Sequence, residues 1–217
     1  YIVAVFDPSF LRPCEKSGNS CALATHIALE WINKPYELKL LKRGQNRESE
    51  YLQVNPKGKV PAVVLEDGHV LTEAAAILVY LAEQFPQANL GTSNDPYERY
   101  ELSQLLAYMT SEVHADFAPH FAPQRFINDE SQYNALRDCT YKRLHEHYTS
   151  LNERLEGKKH PIGIRRTVAD PYLYVLTRWV DQTPLGIKNY PNLKRFRDQM
   201  SADTGVLRAV AMQGIPL

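Results

Sequence analysis

Three short stretches of this chain carry groups that could bind a small peptide and act on a thiol. Residues 55–62 read Asn-Pro-Lys-Gly-Lys-Val-Pro-Ala, which combines a turn with a Val-Pro bond at the entry to a predicted strand. Residues 71–74 place the carboxylate of Glu73 at the start of an apolar helix pattern. Cys21 lies upstream, where it could face the same ligand. Together these features predict a site that holds an extended peptide by its backbone and its amino end.

Cys21 opens a predicted helix, where unpaired backbone N–H groups stabilise a thiolate. A pKa lowered by about two units from about 8.5 would raise the thiolate fraction at pH 7 from roughly 3% to about three quarters. Such a thiolate suits thiol–disulfide exchange. The alternative for Cys21 is a small buried apolar residue, which is common for a free cysteine.

The first 86 residues alternate strand and helix patterns. β-branched and aromatic residues at 2–6 predict a strand, apolar residues at helical spacing predict a helix over 21–32, and 36–41 predict a second strand. A short helix is expected before the turn at 55–58. Residues 60–65 and 69–71 then form a hairpin across an Asp-Gly turn, and a further helix follows. The order β-α-β-α-β-β-α predicts a small α/β domain.

From residue 97 onward the pattern predicts only helices, so the chain divides into an α/β domain (1–86), a linker (87–96) and an all-helical domain (97–217). Helices are expected over 97–121, 130–155, 167–181, 191–200 and 206–212. Thr167 and Asp170 have the spacing of a capping box at the start of the third of these helices. Tyr172 follows at a spacing typical of the core, so this segment is interpreted as structural.

Composition excludes several functional classes. Lys plus Arg equal Asp plus Glu at 25 each, which gives no field to attract nucleic acid or an anionic membrane. No apolar run approaches the roughly 18 residues of a membrane helix, and the start lacks the pattern of a signal peptide. The three cysteines, Cys14, Cys21 and Cys139, fit neither a disulfide framework nor a metal site. We therefore expect a cytoplasmic, reducing environment.

Taken in order, the motifs resemble those of cytosolic glutathione transferases, most closely the bacterial beta class. The segments that carry the resemblance are residues 21–29, 55–62, 71–73 with Tyr80 and Leu81, 111–114 with Phe117 and Pro119, and 167–170 with Tyr172 and Leu173. The resemblance implies a thioredoxin-like amino-terminal domain, an all-helical carboxyl-terminal domain, a homodimer, and glutathione as co-substrate without a metal.

The resemblance also implies contacts with glutathione. A cis bond between Val60 and Pro61 would present the Val60 backbone to the cysteinyl residue. Glu73 would bind the α-ammonium group, and the Ala74 N–H would bind the γ-glutamyl carboxylate at a helix start. Lys59 would contact the glycyl carboxylate. Relatives usually carry a hydroxyl residue or glycine at position 74, so one hydrogen bond is expected to be missing.

The same resemblance implies a thiol site that spans both domains, with Cys21 and His114 as catalytic residues and Glu112 among the glutathione-binding residues. Ala115 stands where relatives commonly carry lysine. Residues 7–20 form a loop that is longer than the usual connection by roughly eight residues and that contains Cys14. The insertion could be a lid, a source of a resolving thiol, or surface decoration. Ser20 leaves a serine-assisted mechanism as a further alternative.

Two functional hypotheses follow. The first is an enzyme that either conjugates glutathione to a small apolar electrophile or exchanges thiols with a mixed disulfide. Its acceptor pocket would be lined by Phe117, Phe121, Phe126 and Met212. The second is a non-catalytic binding or regulatory protein on the same fold. Ala74, Ala115 and the insertion favour the second hypothesis.

Overall fold

The computed structural model of the chain describes residues 2–6, 20–42 and 44–217, with backbone alone for 2–6. Strands β1 (Ile2–Phe6), β2 (Tyr36–Leu40), β3 (Ala62–Val64) and β4 (Val70–Thr72) form one sheet in the order β2-β1-β3-β4. β1 is parallel to β2 and antiparallel to β3, and β3 is antiparallel to β4. The insertion at 7–20, with Cys14, lies outside the described residues except for Ser20.

Three helices accompany the sheet: α1 (Ala22–Ile32), α2 (Ser49–Val54) and α3 (Ala74–Gln84). The predicted order β-α-β-α-β-β-α is confirmed. α1 is buried on nearly all sides because it packs against α3 and against the helices of the second half. It ends at Asn33, whose left-handed conformation (φ 53°) lets its N–H donate to Leu29 O.

The predicted hairpin is confirmed, with its turn at Asp67 and Gly68. Gly68 has a φ of +86°, a conformation that glycine adopts at little cost. The backbone N–H of Leu65 donates to His69 O at 2.9 Å, and the N–H of His69 donates to the Asp67 carboxylate at 3.0 Å. The hairpin therefore delivers Glu73, directly after β4, to the start of α3.

The second half is helical, and residues 96–217, all of which are described, contain no strand. Its α-helices are α4 (Pro96–Tyr108), α5 (Ala118–Phe121), α6 (Tyr133–Arg154), α7 (Ala169–Trp179), α8 (Pro191–Ser201) and α9 (Thr204–Gln213). The predicted composition of an α/β front and a helical back is thus confirmed. The exact division at 1–86, 87–96 and 97–217 stays a prediction.

The predicted single helix over 97–121 is wrong in its middle. α4 passes into a π-helical segment, Met109–His114, before the short helix α5. The Thr110 hydroxyl donates to the carbonyls of Leu106 and Ala107, at 2.9 Å each, where the helix changes its hydrogen-bond register. A π-helical turn displaces every later residue around the helix, so it decides which side His114 faces.

The start of α7 has the predicted capping-box geometry. The Thr167 N–H donates to the Asp170 carboxylate at 2.7 Å, and the Ala169 N–H donates to the Thr167 hydroxyl at 3.3 Å. Asp170 is fully buried, and burial raises the pKa of its carboxyl group, against the opposing effects of His160 and the Thr167 N–H. This start anchors α7, the helix that lies against α1.

The two halves share one apolar core. α1 packs against both α7 and α9. The Trp31 indole N–H donates to the Asp203 carboxylate at 2.7 Å, across the contact between α1 and the start of α9. Gly205 lies so close to this ring that a Cβ there would be 2.6 Å from Trp31 Cδ1. In the part of the chain that the structure describes, no helix combines the length and apolarity needed to span a membrane.

Candidate active site

The Val60-Pro61 peptide bond is cis, as the resemblance predicts. The turn before it is held by buried side chains that donate to its carbonyls. The Asn55 amide and the Tyr51 hydroxyl both donate to Lys59 O, at 2.7 and 2.5 Å, and the Asn46 amide donates to Gly58 O at 2.8 Å. The backbone that presents Val60 is therefore fixed without any ligand.

Cys21 contacts this backbone directly. Its thiol donates to the Val60 carbonyl oxygen across 3.5 Å, although the two residues are 39 positions apart in the sequence. Cys21 immediately precedes α1, as predicted, so it lies where the helix begins and the backbone of Val60 passes. The structure brings together two of the residues that the sequence singled out.

The protonation of Cys21 differs from the expectation. Burial raises the pKa of the thiol to about 12, and the negative charge of Glu73 adds to this shift. Hydrogen bonding from its own backbone N–H, the positive charge of Lys59 and the Ala22 N–H act in the opposite direction but are weaker. Desolvation therefore outweighs the helix start, and the thiol is protonated at pH 7.

Glu73 occupies the N-cap position of α3 in an uncommon backbone conformation, with φ 69° and ψ 111°. Strained backbone of this kind in a residue other than glycine is concentrated at ligand sites. The Glu73 carboxylate is mostly exposed and lies 2.8 Å from Lys57 Nζ. Ala74, the first residue of α3, is buried and offers a backbone N–H at a helix start.

His114 ends the π-helical segment and points into the core between the two halves. Its Nδ1 is 2.7 Å from the Tyr172 hydroxyl, and its ring lies edge-on to Trp179 with ring centroids 4.8 Å apart. Burial lowers the pKa of His114 to about 4, and the positive charge of Lys59 contributes to the shift. The imidazole is therefore neutral at pH 7.

Tyr172 is a site residue that the sequence did not reveal. It was predicted to be a core residue of α7, and it is indeed buried. Its hydroxyl, however, faces His114, and burial together with the charges of Cys21 and Glu73 raises its pKa. A hydroxyl within an apolar helix stripe was the available signal, because a buried tyrosine normally needs a hydrogen-bond partner.

Charged neighbours connect the two halves of the site. The charges of Lys59 and Glu73 act on both Cys21 and His114, so all four groups belong to one electrostatic environment. Glu112 is not part of it. Its carboxylate is half-exposed and lies 3.9 Å from Arg143 of α6, so no structural feature supports its predicted contact with glutathione.

The expected acceptor pocket is only partly supported. Phe117 is fully buried, where it packs against Phe121 and Trp179, so it is a core residue and not a lining residue. Met212 lies beside Tyr36, with Sδ 3.8 Å from its hydroxyl, near the end of α1 remote from Cys21. Phe121 is partly exposed and Phe126 is 55% exposed.

The described residues contain no group of three or more His, Cys, Asp or Glu side chains that could hold a metal ion. The Ser20 hydroxyl is buried and has no hydrogen-bond partner there. The charged groups that act on the Cys21 thiol are Lys59 and Glu73.

The architecture, with an α/β front half, an all-helical back half and a cysteine at the start of α1, defines a class of two-part thioredoxin-like proteins. Residues 20–84 match the glutathione S-transferase N-terminal domain, and residues 108–203 match the C-terminal domain. Glutathione S-transferase GstA from Escherichia coli O157:H7 is 32% identical over 199 residues, 90% of this chain and 96% of the relative. The chain belongs to the glutathione S-transferase family.

Solved structures agree with this assignment. A bacterial beta-class glutathione S-transferase from Sphingomonas chungbukensis is 30% identical, with a TM-score of 0.82 over 99% of this chain and all of the other. A sphingomonad glutathione S-transferase complexed with glutathione is 29% identical, with a TM-score of 0.84 over the same shares. The predicted family, fold and enzyme class, a transferase, are thereby confirmed, and the non-catalytic alternative is not favoured.

Proposed function

We propose that this chain binds glutathione in extended form along Val60 and conjugates it to a small hydrophobic electrophile. The observation that carries the proposal is the contact between the Cys21 thiol and the Val60 carbonyl, beside the charges of Lys59 and Glu73. The sphingomonad relative that was solved with glutathione supports glutathione as the co-substrate.

Glutathione would be bound mainly through hydrogen bonds to the protein backbone and through ion pairs with charged side chains. The Val60 N–H has no hydrogen-bond partner among the described residues, and its carbonyl has a second lone pair, so both groups can pair with the cysteinyl residue. The Ala74 N–H would bind the γ-glutamyl carboxylate, Glu73 would bind the α-ammonium, and Lys59 would bind the glycyl carboxylate. Pro61 would shape the backbone at this point.

Conjugation suits the protonation states of the site. A thiol whose pKa is about 12 is a poor nucleophile at pH 7, but it can donate a hydrogen bond. In this proposal Cys21 and His114 are catalytic donors that stabilise the thiolate of glutathione, whose proton passes to water. The thiolate sulfur then forms a bond to the electrophilic carbon, and the group displaced from that carbon leaves as an anion. The partly exposed Phe121 and the exposed Phe126 would form an apolar acceptor surface.

Thiol–disulfide exchange is the second candidate activity. The position of Cys21 at the start of α1 and the charge of Lys59 both favour a thiolate, even though burial outweighs them. The proposal is completed by a homodimer in the cytoplasm that acts on small molecules and not on nucleic acid or membranes, supported by family membership and by the balanced charge.

Calorimetry with two ligands tests the binding mode. Glu73→Gln should weaken binding of glutathione by roughly tenfold or more, because a charged hydrogen bond is lost. It should leave binding of a glutathione analogue without the α-amino group unchanged. Glu83→Gln, an exposed carboxylate on the same helix, is the matched control. Equal effects on both ligands would refute the pairing of Glu73 with the ammonium, and no binding by the unaltered protein would refute the whole proposal.

A further inference from the structure

The hydrogen bond between His114 and Tyr172 joins two segments that lie 58 residues apart in the sequence. It involves Nδ1 of the imidazole, while Nε2 has no hydrogen-bond partner among the described residues. The ring is also packed edge-on against Trp179, which restricts its rotation. The imidazole therefore has one nitrogen bonded to α7 and the other without a partner among the described residues, while the charges of Lys59 and Glu73 act on the ring.

Only one arrangement of protons satisfies both the His114 imidazole and the Tyr172 hydroxyl. His114 is neutral at pH 7 and carries a single N–H, and Tyr172 retains its hydroxyl proton. If Nδ1 carried the imidazole proton, the buried Tyr172 O–H would have no acceptor among the described residues. An unsatisfied buried donor is costly, so the tyrosine donates and Nδ1 accepts.

We propose that Tyr172 is a positioning residue whose hydroxyl holds His114 in the tautomer with its proton on Nε2, so that His114 presents a hydrogen-bond donor to sulfur. This inference deepens the proposed function and rests on it for the identity of the sulfur. It assigns His114 the role of a donor and excludes that of a general base, because Nε2 has no free lone pair in this tautomer.

The charges around the pair are consistent with this role. Lys59 and Glu73 act on His114 from the front half, and Glu73 acts on Tyr172. The opposite charges of Lys59 and Glu73 partly cancel at the imidazole, so burial decides its protonation. A donor that is neutral and already oriented needs no reorganisation when a thiolate forms beside it.

Nitrogen NMR of the full chain, labelled at histidine and free of ligand, tests the tautomer directly. The nitrogen chemical shifts separate a protonated from an unprotonated ring nitrogen, and His114→Gln assigns the signals of His114. We expect Nε2 protonated and Nδ1 unprotonated at pH 7. In Tyr172→Phe the same histidine should become a mixture of both tautomers. A proton on Nδ1 in the unaltered protein, or an unchanged single tautomer in Tyr172→Phe, would overturn the proposal.

Tyr174→Phe is the matched control, because Tyr174 is a buried tyrosine of the same helix whose hydroxyl instead contacts Ser201 and Arg178. It should leave the His114 tautomer unchanged. With glutathione and an electrophile, Tyr172→Phe should lower kcat about fivefold, equivalent to one hydrogen bond, with little change in KM for glutathione. A larger KM with unchanged kcat would contradict a positioning role. Because the tautomer is measured without ligand, its outcome is independent of whether glutathione is the substrate.

Discussion

The two sides of the candidate site present their groups in different ways. The front half offers backbone groups at Val60 and exposed charges at Lys59 and Glu73, which lie close together in the sequence. The back half offers a half-buried imidazole, that of His114, and a buried hydroxyl, that of Tyr172, which come from separate helical segments. The front half is therefore suited to bind a charged peptide, and the back half is suited to place an oriented neutral donor beside its sulfur.

Because of burial, the Cys21 thiol and the His114 imidazole are both uncharged at pH 7. Desolvation raises the pKa of the Cys21 thiol and lowers that of the His114 imidazole, while the formal charges of Lys59 and Glu73 stay at the exposed rim. A thiolate that forms in such an environment gains more from each donor than it would in water. Changes in the front half and changes in the back half should therefore impair different properties of the protein.

Replacing Cys21 should have the largest effect and should separate the two candidate activities. Cys21→Ala should reduce thiol–disulfide exchange by several orders of magnitude, because the attacking sulfur is lost. Cys21→Ser should retain most conjugation, since a hydroxyl can still donate to the thiolate of glutathione. Rates with a mixed disulfide and with a chromogenic electrophile measure both, and Cys139→Ser, on the exposed face of α6, is the control. An exchange rate that survives in Cys21→Ala would reject Cys21 as the nucleophile.

Acid should destabilise the protein through its buried histidines. The pKa of His114 is about 4 in the folded protein and 6.5 without burial, so the unfolded chain binds the proton first. Its contribution is complete above pH 6.5 and is lost as the pH falls towards 4, by at most about 3 kcal/mol. Urea denaturation at several pH values should show the unfolding free energy falling with pH between 6.5 and 4. In His114→Gln this fall should be smaller, by the amount that corresponds to about one bound proton. An unchanged slope in His114→Gln would contradict the neutral imidazole.

Alkali should act on the front half with the opposite sign. The pKa of Cys21 is about 12 in the folded protein against 9.0 without burial, so the unfolded chain loses its proton first. The stability that this thiol contributes is complete below pH 9 and is lost as the pH rises towards 12. Between pH 9 and 12, the unfolding free energy of Cys21→Ser should therefore depend less on pH, by the amount that corresponds to about one proton. If the slope persisted, the thiol would be more solvated, or more strongly stabilised as a thiolate, than the structure indicates.

Contiguous motifs were predictable from the sequence, and contacts between distant helices were not. The turn at 55–58 and the capping box at Thr167 each depend on neighbouring residues, and both are present. The cis bond before Pro61 was implied by the family resemblance and not by its neighbours, and it is present too. The partnership of Tyr172 with His114 depends on how α7 packs against the π-helical segment, which no local pattern encodes. The pKa of Cys21 was predicted in the wrong direction for the same reason, because desolvation is set by the whole fold.

A larger side chain at the contact between the two halves should destabilise the whole protein. Gly205→Ala would place a Cβ 2.6 Å from Trp31 Cδ1, where α1 meets the start of α9. Overpacking of this kind costs about 1–3 kcal/mol of unfolding free energy. Gly91→Ala, where the nearest atom, the Cβ of Ala82, is 4.0 Å away, is the control. Thermal unfolding measures the loss, and a Gly205→Ala protein as stable as the control would show that the two halves can shift apart without penalty.

The smallest expected effect concerns the π-helical turn that sets the direction of His114. Thr110→Val removes the hydroxyl that donates to the carbonyls of Leu106 and Ala107, and should cost about 1 kcal/mol of stability. Thr149→Val is the matched control, because the Thr149 hydroxyl donates to His145 O within the regular helix α6.

If the π-helical register orients His114, only Thr110→Val should also lower kcat for conjugation, in addition to its effect on stability. Equal, stability-only effects in both variants would mean that packing against Trp179 and the bond to Tyr172 hold the ring without help from the helix register. In that case the back half of the site would depend on α7 more than on the segment that carries His114 itself.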